Sequence, residues 1–292
     1  KVEMLTKLEE LVKGKDARIV HVPYCQYNEF ETTSSIFNSK GLDLSQTNRA
    51  AYIIVGAVAK EGEDSKSAFE VDVVNLFEDF DIEVLAEKVA SKALDLLGAE
   101  PVASKSYPVI FENEVMSSIL AAFQSVFSGE AAIKKMTLLL GKEKEQIMSE
   151  KITISDDPFR DEAKIINNFD DEGVACYAKK VVEKGVFTQF LHNLKTAKYF
   201  KTTSTGNGFK QGTYTGVSGT NLFIEPGDVA KEDMISSTKE GLLITQVAGL
   251  HSGLDPISGN FSIQATGFLI EEGKVSRPVN LIVVSGNFLK MM

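Results

Sequence analysis

The chain after residue 174 alternates short apolar runs with glycine-containing turns, and this pattern limits the fold more than any other feature. The runs Val174–Val182 and Val186–His192 flank Glu183-Lys184-Gly185, a turn of the length and chemistry that antiparallel hairpins favour. Further runs typical of strands are Asn221–Ile224, Leu242–Val247, Ser262–Ile270 and Val275–Val284, the last two joined by Glu271-Glu272-Gly273-Lys274. This half of the chain therefore predicts a mainly antiparallel sheet.

The preceding residues mix helical and strand patterns. An amphipathic helix is predicted over residues 1–13, and Asp81 is a suitable N-cap for a long helix that ends at Gly98. Residues 101–106 have the composition of a linker, so we place a domain boundary there. The other predicted elements are strands at Ala17–Tyr27, Glu29–Asn38, Arg49–Lys60 and Tyr107–Phe111, a polar loop at Glu61–Lys66 and a helix at Glu114–Phe127.

These elements predict an α+β protein. We expect residues 1–100 to form an α/β portion with three strands and a long helix. We expect residues 101–292 to form a domain of a helix plus antiparallel strands, with the helices packed on the sheet.

Charge and composition exclude several function classes. The 292 residues carry a net charge of −10. A nucleic-acid binder usually has a basic footprint, because phosphate neutralisation supplies much of its affinity, so we expect no direct nucleic-acid ligand. No run of about 18 apolar residues exists, so no membrane span is expected. Cys25 and Cys176 lie far apart with no CxxC motif, which favours reduced thiols and a cytoplasmic location.

The motifs of common catalytic sites are absent. His21, His192 and His251 are isolated, whereas a zinc peptidase usually offers two histidines on one helix face with a glutamate beside them. There is no GxSxG and no GxxxxGK[ST] sequence, and Gly206–Gly212 misses GxGxxG by one residue. We therefore expect no catalytic residue and no metal site in this chain.

Acidic residues cluster at Asp156–Asp157 and at Asp170-Asp171-Glu172. Paired carboxylates can perform acid–base chemistry when their surroundings drive their pKa values apart. Each group here lies beside a turn-forming residue, Pro158 or Gly173. We therefore favour solvated turns over a catalytic pair.

A long segment lacks acidic residues altogether. None occurs between Glu183 and Glu225, where the overall composition would give about six. The loop Ser204–Gly208 within it could form an anion-binding nest of backbone amides. The segment is either a glycine-rich loop that lacks charge by chance, or a surface for a carboxylate, an acidic partner or a peptide main chain. Its lysines are Lys184, Lys195, Lys198, Lys201 and Lys210.

The second interpretation makes part of this region face a substrate or a partner. The residues for which we expect that role are Lys195, Lys198, Lys201, Ser204, Gly206, Asn207, Gly208 and His251.

Several segments also resemble those of a known family. They include His192-Asn193-Leu194-Lys195-Thr196-Ala197, Ser204-Thr205-Gly206-Asn207-Gly208, Asn221-Leu222-Phe223-Ile224-Glu225-Pro226-Gly227, Gly249-Leu250-His251-Ser252-Gly253 and Pro256-Ile257-Ser258-Gly259-Asn260-Phe261-Ser262. Together they resemble the PmbA/TldE family. The match covers most of the chain and is most specific after residue 174.

The resemblance implies a subunit of the TldD/TldE peptidase, a bacterial metal-dependent assembly linked to peptide maturation, degradation of unfolded peptides and modulation of DNA gyrase. In that assembly a TldD-like partner holds zinc on an HExxxH helix. The matching helix here is Glu114–Glu130, and Leu120, Ala121 and Ser125 stand at the zinc-helix positions. The resemblance therefore implies the non-zinc, TldE-like type, with zinc on a TldD-like partner in a heterodimer. A homodimer is the alternative.

Three functions stay open. A TldE-like subunit would frame a channel in which an unfolded peptide pairs with an open sheet edge. A non-enzymatic binding protein would instead meet DNA gyrase or an acidic peptide through the Lys184–Lys210 face. An autonomous hydrolase with an unfamiliar site is the third. Family members usually carry an α/β domain before the position of Lys1 and a tail after that of Met292, so we expect a trimmed or shortened member.

Overall fold

The computed structural model describes all residues from Lys1 to Met292, and it has the α+β fold that the sequence predicts. The helices are α1 (Val2–Gly14), α2 (Ile82–Leu94), α3 (Asn113–Phe123), α4 (Gly129–Ile133), α5 (Leu194–Phe200), α6 (Lys231–Ser237) and α7 (Phe288–Met291). Two short 3₁₀ helices lie at Phe77–Asp79 and Gln124–Phe127. None of the helices has both the length and the apolar character that a membrane crossing needs.

Fourteen strands complete the fold. In the first part of the chain they are β1 (Ile19–His21), β2 (Cys25–Phe37), β3 (Asp43–Glu61) and β4 (Asp64–Val74). In the second part they are β5 (Val109–Phe111), β6 (Ile154–Asp156), β7 (Lys179–Glu183), β8 (Val186–Phe187), β9 (Gly208–Gln211), β10 (Tyr214–Val217), β11 (Leu222–Ile224), β12 (Glu240–Ala248), β13 (Asn260–Glu271) and β14 (Lys274–Asn287).

The first part is a four-stranded antiparallel sheet with two helices on one face. The long strand β3 pairs with β2 over its first half, with β1 near its end and with β4 on its other side. The core holds Leu8 and Val12 of α1, Ile53 and Val55 of β3, and Leu85 and Val89 of α2. Asp81 caps α2 as predicted, because its carboxylate accepts hydrogen bonds from the amides of Glu83 and Val84.

We expected three strands in this part, and the structure has four. β4 was missed because polar and charged residues alternate along it, and its start lies within the segment Glu61–Lys66 that we assigned to a loop. That segment instead forms the tight turn between β3 and β4 and the first residues of β4.

The second part contains three sheets around a separate core. Their strand orders are β14-β13-β12-β5, β11-β6-β7-β8 and β10-β9. Only β5 and β12 pair in parallel; all other pairs are antiparallel. Phe123 of α3 is fully buried in this core, stacked on Phe288 at 4.6 Å between ring centroids and edge-on to Phe261. The core therefore fixes the end of α3.

Several predicted elements here are shorter than expected. β7 and β8 form the hairpin at Gly185, but the residues just after Val174 are irregular and the hairpin's second strand ends at Phe187. The helix predicted as Glu114–Phe127 ends at Phe123 and continues as a 3₁₀ turn. The hairpin of β9 and β10 was not predicted, because Gly208–Gln211 lacks an apolar alternation.

The hairpin of β2 and β3 reaches from the first part onto the second. Asn48 exchanges two hydrogen bonds with the backbone of Ile166, and Gln46 bonds the backbone of Asn168 and Phe169. These bonds use the backbone groups of residues 166–169, so they fix the position of that segment without depending on its side chains.

Candidate functional site

A groove of about 730 Å³ runs beside α3. One wall is α3, with the exposed Ser117 and the buried Leu120, and the other is β11, with Phe223 and Ile224. α3 has this orientation because Val115, Ile119 and Phe123 form its apolar face and are buried in the core. The groove is therefore held by a core helix and by the end strand of a sheet.

Arg160 supplies a fixed cation to this groove. Its guanidinium carbon lies 4.0 Å from the centre of the Phe223 ring, a cation–π arrangement. Its Nε donates to Glu162 at 2.5 Å, while the rest of the guanidinium has no bond within the chain. The remaining N–H groups are available to a carboxylate or a peptide carbonyl.

The three residues that the sequence resemblance places at zinc-helix positions lie at this groove and beyond it. Leu120 is 2% exposed and lines the groove, Ala121 is exposed, and Ser125 lies in the following 3₁₀ turn at the edge of a second cavity of about 400 Å³. None of the three carries an imidazole or a carboxylate, so this set does not fit a zinc ion. The structure brings together no group of three His, Cys, Asp or Glu side chains that could hold a metal.

The three predicted lysines lie on one exposed surface. Asn193 and Thr196 form a capping box that starts α5, which carries Lys195 and Lys198, and Lys201 follows at its C-cap. All three are exposed and none forms a salt bridge within the chain. The surface is thus a positive patch whose lysines have no ion-pair partner within the chain.

The loop Ser204–Gly208 is mostly buried, whereas these lysines are exposed. Gly206, Asn207 and Gly208 are buried, and Ser204 is partly buried. The Gly208 amide donates to Asp170 Oδ2 at 2.8 Å, so the acceptor of this amide is a carboxylate of the same chain. These glycine and asparagine residues do not face solvent in the chain.

Asp156 lies at the centre of a buried polar network. Its Oδ1 accepts from the amide and hydroxyl of Thr220 and from the amide of Asn221 at 2.7–3.0 Å. Its Oδ2 accepts from Lys179 Nζ at 3.1 Å and from Asn207 Nδ2 at 2.8 Å. Each polar atom of the carboxylate therefore has several donors, which is what a buried charge requires.

The expectation of solvated acidic turns is wrong for two residues. Asp156 and Asp170 are both 0% exposed. Asp170 is in a turn, but its side chain accepts from the Glu172, Val174 and Gly208 amides instead of facing water. Sequence reasoning also missed Lys179. The one available signal is strand alternation, which places Lys179 on the same face of β7 as the buried Val181.

The histidines lie in different environments. His192 is buried against Gly129, and its Nδ1 lies 3.1 Å from Thr196 Oγ1. Burial lowers the pKa of His192, which favours the neutral form of its imidazole. His251 is exposed in the turn after β12. Burial also raises the pKa of the Cys176 thiol to about 12, which makes it a poor nucleophile.

Comparison with known proteins gives the family. The profile of the PmbA/TldA metallopeptidase central domain matches residues 1–97, and that of the C-terminal domain matches residues 104–292. The chain belongs to the PmbA/TldA metallopeptidase family.

Curated relatives agree with this family membership. The chain is 28% identical to a metalloprotease PmbA homolog of Buchnera aphidicola, over 99% of this chain and 63% of the relative. It is 24% identical to metalloprotease PmbA of Escherichia coli O157:H7, over 99% of this chain and 62% of the relative.

Solved structures show the same fold. A candidate modulator of DNA gyrase from Thermotoga maritima matches with a TM-score of 0.94 and 33% identity, over 99% of this chain and 66% of that one. TldE from Thermococcus kodakarensis matches with a TM-score of 0.90 and 29% identity, over 99% of this chain and 65% of that one. The chain thus spans just under two thirds of the length of these relatives.

Proposed function

We propose that this chain is the non-zinc, TldE-like subunit of a peptidase assembly, and that it frames a peptide channel for a metal-bearing, TldD-like partner. The observation that carries the proposal is the composition of α3 and of the 3₁₀ turn that follows it. Leu120, Ala121 and Ser125 stand where the family's zinc helix would carry His, Glu and His, and none of them supplies an imidazole or a carboxylate. Zinc and its hydrolytic water would therefore come from the partner.

The groove beside α3 has the properties of a peptide site. β11 is the end strand of its sheet, so one of its edges has no neighbouring strand. The Asn221 carbonyl and the Glu225 amide form backbone hydrogen bonds on the β6 side. Because backbone groups alternate in direction along an antiparallel strand, those of Leu222 and Ile224 point toward the free edge. An extended peptide can pair with such an edge whatever its side chains are.

Arg160 adds polarity to that site. A cation fixed on an aromatic ring can hold a carboxylate or a backbone carbonyl without much loss of side-chain entropy. The groove would then accept unfolded or precursor peptides through main-chain bonds and one charged contact.

The test compares two tryptophan variants in the reconstituted assembly with a TldD-like partner. Ser117 and Ser118 are both exposed on α3, but only Ser117 lines the groove. Ser117→Trp should fill the groove and reduce cleavage of an unfolded peptide by at least tenfold, whereas Ser118→Trp should leave cleavage nearly unchanged. Equal cleavage by both variants would count against a peptide site in this groove.

A second candidate function rests on the lysine surface. Lys195, Lys198 and Lys201 form an exposed patch without internal acidic partners, which suits an acidic protein or peptide. One structural relative is a candidate gyrase modulator, so DNA gyrase is the partner to test. Binding of the purified chain to gyrase in the absence of any TldD-like protein would favour this alternative.

We place either activity in the cytoplasm. The two cysteines are both free, which suits a reducing compartment. Fractionation of the native host would test this.

A further inference from the structure

Three side chains of the buried network all contact one another, which an ion pair alone would not require. Lys179 Nζ lies 3.1 Å from Asp156 Oδ2 and 3.2 Å from Asn207 Oδ1, while Asn207 Nδ2 lies 2.8 Å from the same Asp156 oxygen. All three side chains are buried: Asp156 and Asn207 are 0% exposed, and the Lys179 side chain is 1% exposed. An amine, a carboxamide and a carboxylate thus meet where bulk water does not reach.

The orientation of the Asn207 amide is fixed by bonds at both ends. Its Oδ1 accepts from Lys179 Nζ and from the Thr205 hydroxyl at 2.7 Å, and its Nδ2 donates to Asp156 and to the Ser218 carbonyl at 2.9 Å. The carbonyl carbon is bonded to the oxygen that Lys179 contacts, about 1.2 Å from it. The donor from Thr205 polarises this carbonyl in the direction that favours attack by an amine.

Asp156 is arranged to carry a proton between the two nitrogens. Thr220 and Asn221 hold its Oδ1, so its Oδ2 stays between Lys179 and Asn207. Transfer of one proton from Lys179 to Asp156 removes two buried charges together, which offsets part of the cost of burying them. It also produces a neutral lysine amine, which is the nucleophilic form.

We propose that Lys179 and Asn207 form an intramolecular isopeptide bond, with Asp156 as the proton carrier. The neutral Nζ attacks the side-chain carbonyl carbon of Asn207, and the resulting tetrahedral centre loses its Nδ2 nitrogen. Asp156 first takes a proton from Lys179 and gives it to the leaving nitrogen, which departs as ammonia. It then takes the second proton that Nζ loses as it becomes an amide nitrogen, so the reaction ends with a neutral, protonated Asp156. A C–N bond forms and a C–N bond breaks, so no oxidant or other reactant is needed.

The bond would join two parts of the chain around the lysine patch. Lys179 begins β7, and Asn207 immediately precedes β9. A covalent link between them closes a loop that contains α5 and all three exposed lysines. It would hold the base of that surface in place even when the surrounding hydrogen bonds open.

A competing reaction of Asn207 has to be separated from this one. An Asn-Gly sequence can cyclise when the following backbone nitrogen attacks the side-chain carbonyl, and that reaction also releases ammonia. Here the Gly208 amide donates to Asp170 Oδ2 at 2.8 Å, which holds its nitrogen toward the carboxylate. The geometry therefore favours Lys179 as the attacking group.

The test is the mass and peptide map of the purified full chain after incubation at growth temperature. The isopeptide bond lowers the intact mass by one ammonia, about 17 Da. Trypsin cannot cleave after a linked Lys179, so the digest should contain a branched species that joins residues 165–180 to residues 202–210. Recovery of the full mass, with residues 165–179 and 202–210 as separate peptides, would overturn the proposal.

Two variants separate the isopeptide from the competing reaction. Lys179→Arg keeps the positive charge but removes the amine, and Asp156→Asn removes the proton carrier. Both variants should show the full mass expected from their sequences and no branched peptide. Ammonia loss that persists in Lys179→Arg would identify cyclisation at Asn207 and overturn the proposal. If a variant fails to fold, the wild-type peptide map still decides the question.

Discussion

Lys92 connects the two parts of the chain through two carboxylates. Its ammonium, on α2, contacts Glu70 of β4 and lies 3.0 Å from Glu114 of α3. The Glu70 side chain is only 7% exposed, and its Oε1 has no hydrogen-bond partner apart from this ion pair. We therefore expect Lys92→Met to leave a buried carboxylate uncompensated.

The size of the destabilisation by Lys92→Met follows from the burial of Glu70. Removing one partner of a buried ion pair costs about 3–5 kcal/mol, because the remaining charge stays desolvated. The Lys92 side chain is 32% exposed, so some water reaches the site, and we expect about 3 kcal/mol for Lys92→Met. Glu114 is 67% exposed, and we expect Glu114→Gln to cost less than about 1 kcal/mol.

The pH dependence of this effect has a definite sign. Burial opposes the charge on Lys92, but hydrogen bonds to Glu70 and Glu114 outweigh it and raise the pKa of Lys92 above its ordinary value of 10.5. A group whose pKa is raised by folding stabilises the folded state below its unfolded pKa. The difference between wild type and Lys92→Met should therefore persist through neutral pH and shrink above 10.5, where Lys92 loses its charge.

Urea unfolding of the wild type and of both variants measures these free energies. The double variant Glu70→Gln, Lys92→Met serves as the matched control, because it removes both charges and should recover much of the loss. The reasoning is refuted if Lys92→Met costs no more than Glu114→Gln, or if the double variant is as unstable as Lys92→Met.

Three further expectations concern the core, a thiol and the lysine patch. Phe123→Ala should cost about 3–5 kcal/mol in urea unfolding, because the ring is fully buried and stacked. Burial raises the pKa of Cys176 to about 12, so its alkylation in the folded protein near pH 8.5 should be roughly a thousandfold slower than that of an ordinary thiol. Mass spectrometry of labelled peptides measures this rate. Replacement of the three patch lysines by glutamate should weaken peptide or partner binding by about 1–2 kcal/mol and reduce the salt dependence of binding. Urea unfolding of the variant is the control for folding, and unchanged binding would contradict the expectation. The residues changed are Lys195, Lys198 and Lys201.

Features set by local chemistry could be predicted from the sequence. Gly185 has φ of 76°, a left-handed backbone conformation that favours glycine, so the hairpin turn after Lys184 could be predicted from its own residues. Asp81 caps α2 by accepting from the amides of Glu83 and Val84, two and three residues later. In both cases the neighbours in sequence determine the structure.

Features that depend on distant residues could not be predicted in this way. Lys179 is buried because its partners, Asp156 and Asn207, lie 23 and 28 residues away in sequence and meet it only in the fold. The turn residue beside Asp156 suggested solvent, whereas β6 carries this carboxylate into the interior. The groove beside α3 likewise needs β11, about a hundred residues later in the chain.

The proposed role as a non-zinc subunit is tested most directly by cleavage of an unfolded peptide, measured for the purified chain, for a TldD-like partner and for their mixture. The zinc content of each sample should be determined in parallel. We expect no cleavage and no stoichiometric zinc for this chain alone, and cleavage that chelators block for the mixture. Chelator-sensitive cleavage by a clean preparation of this chain alone, with about one tightly held zinc per chain, would contradict the account.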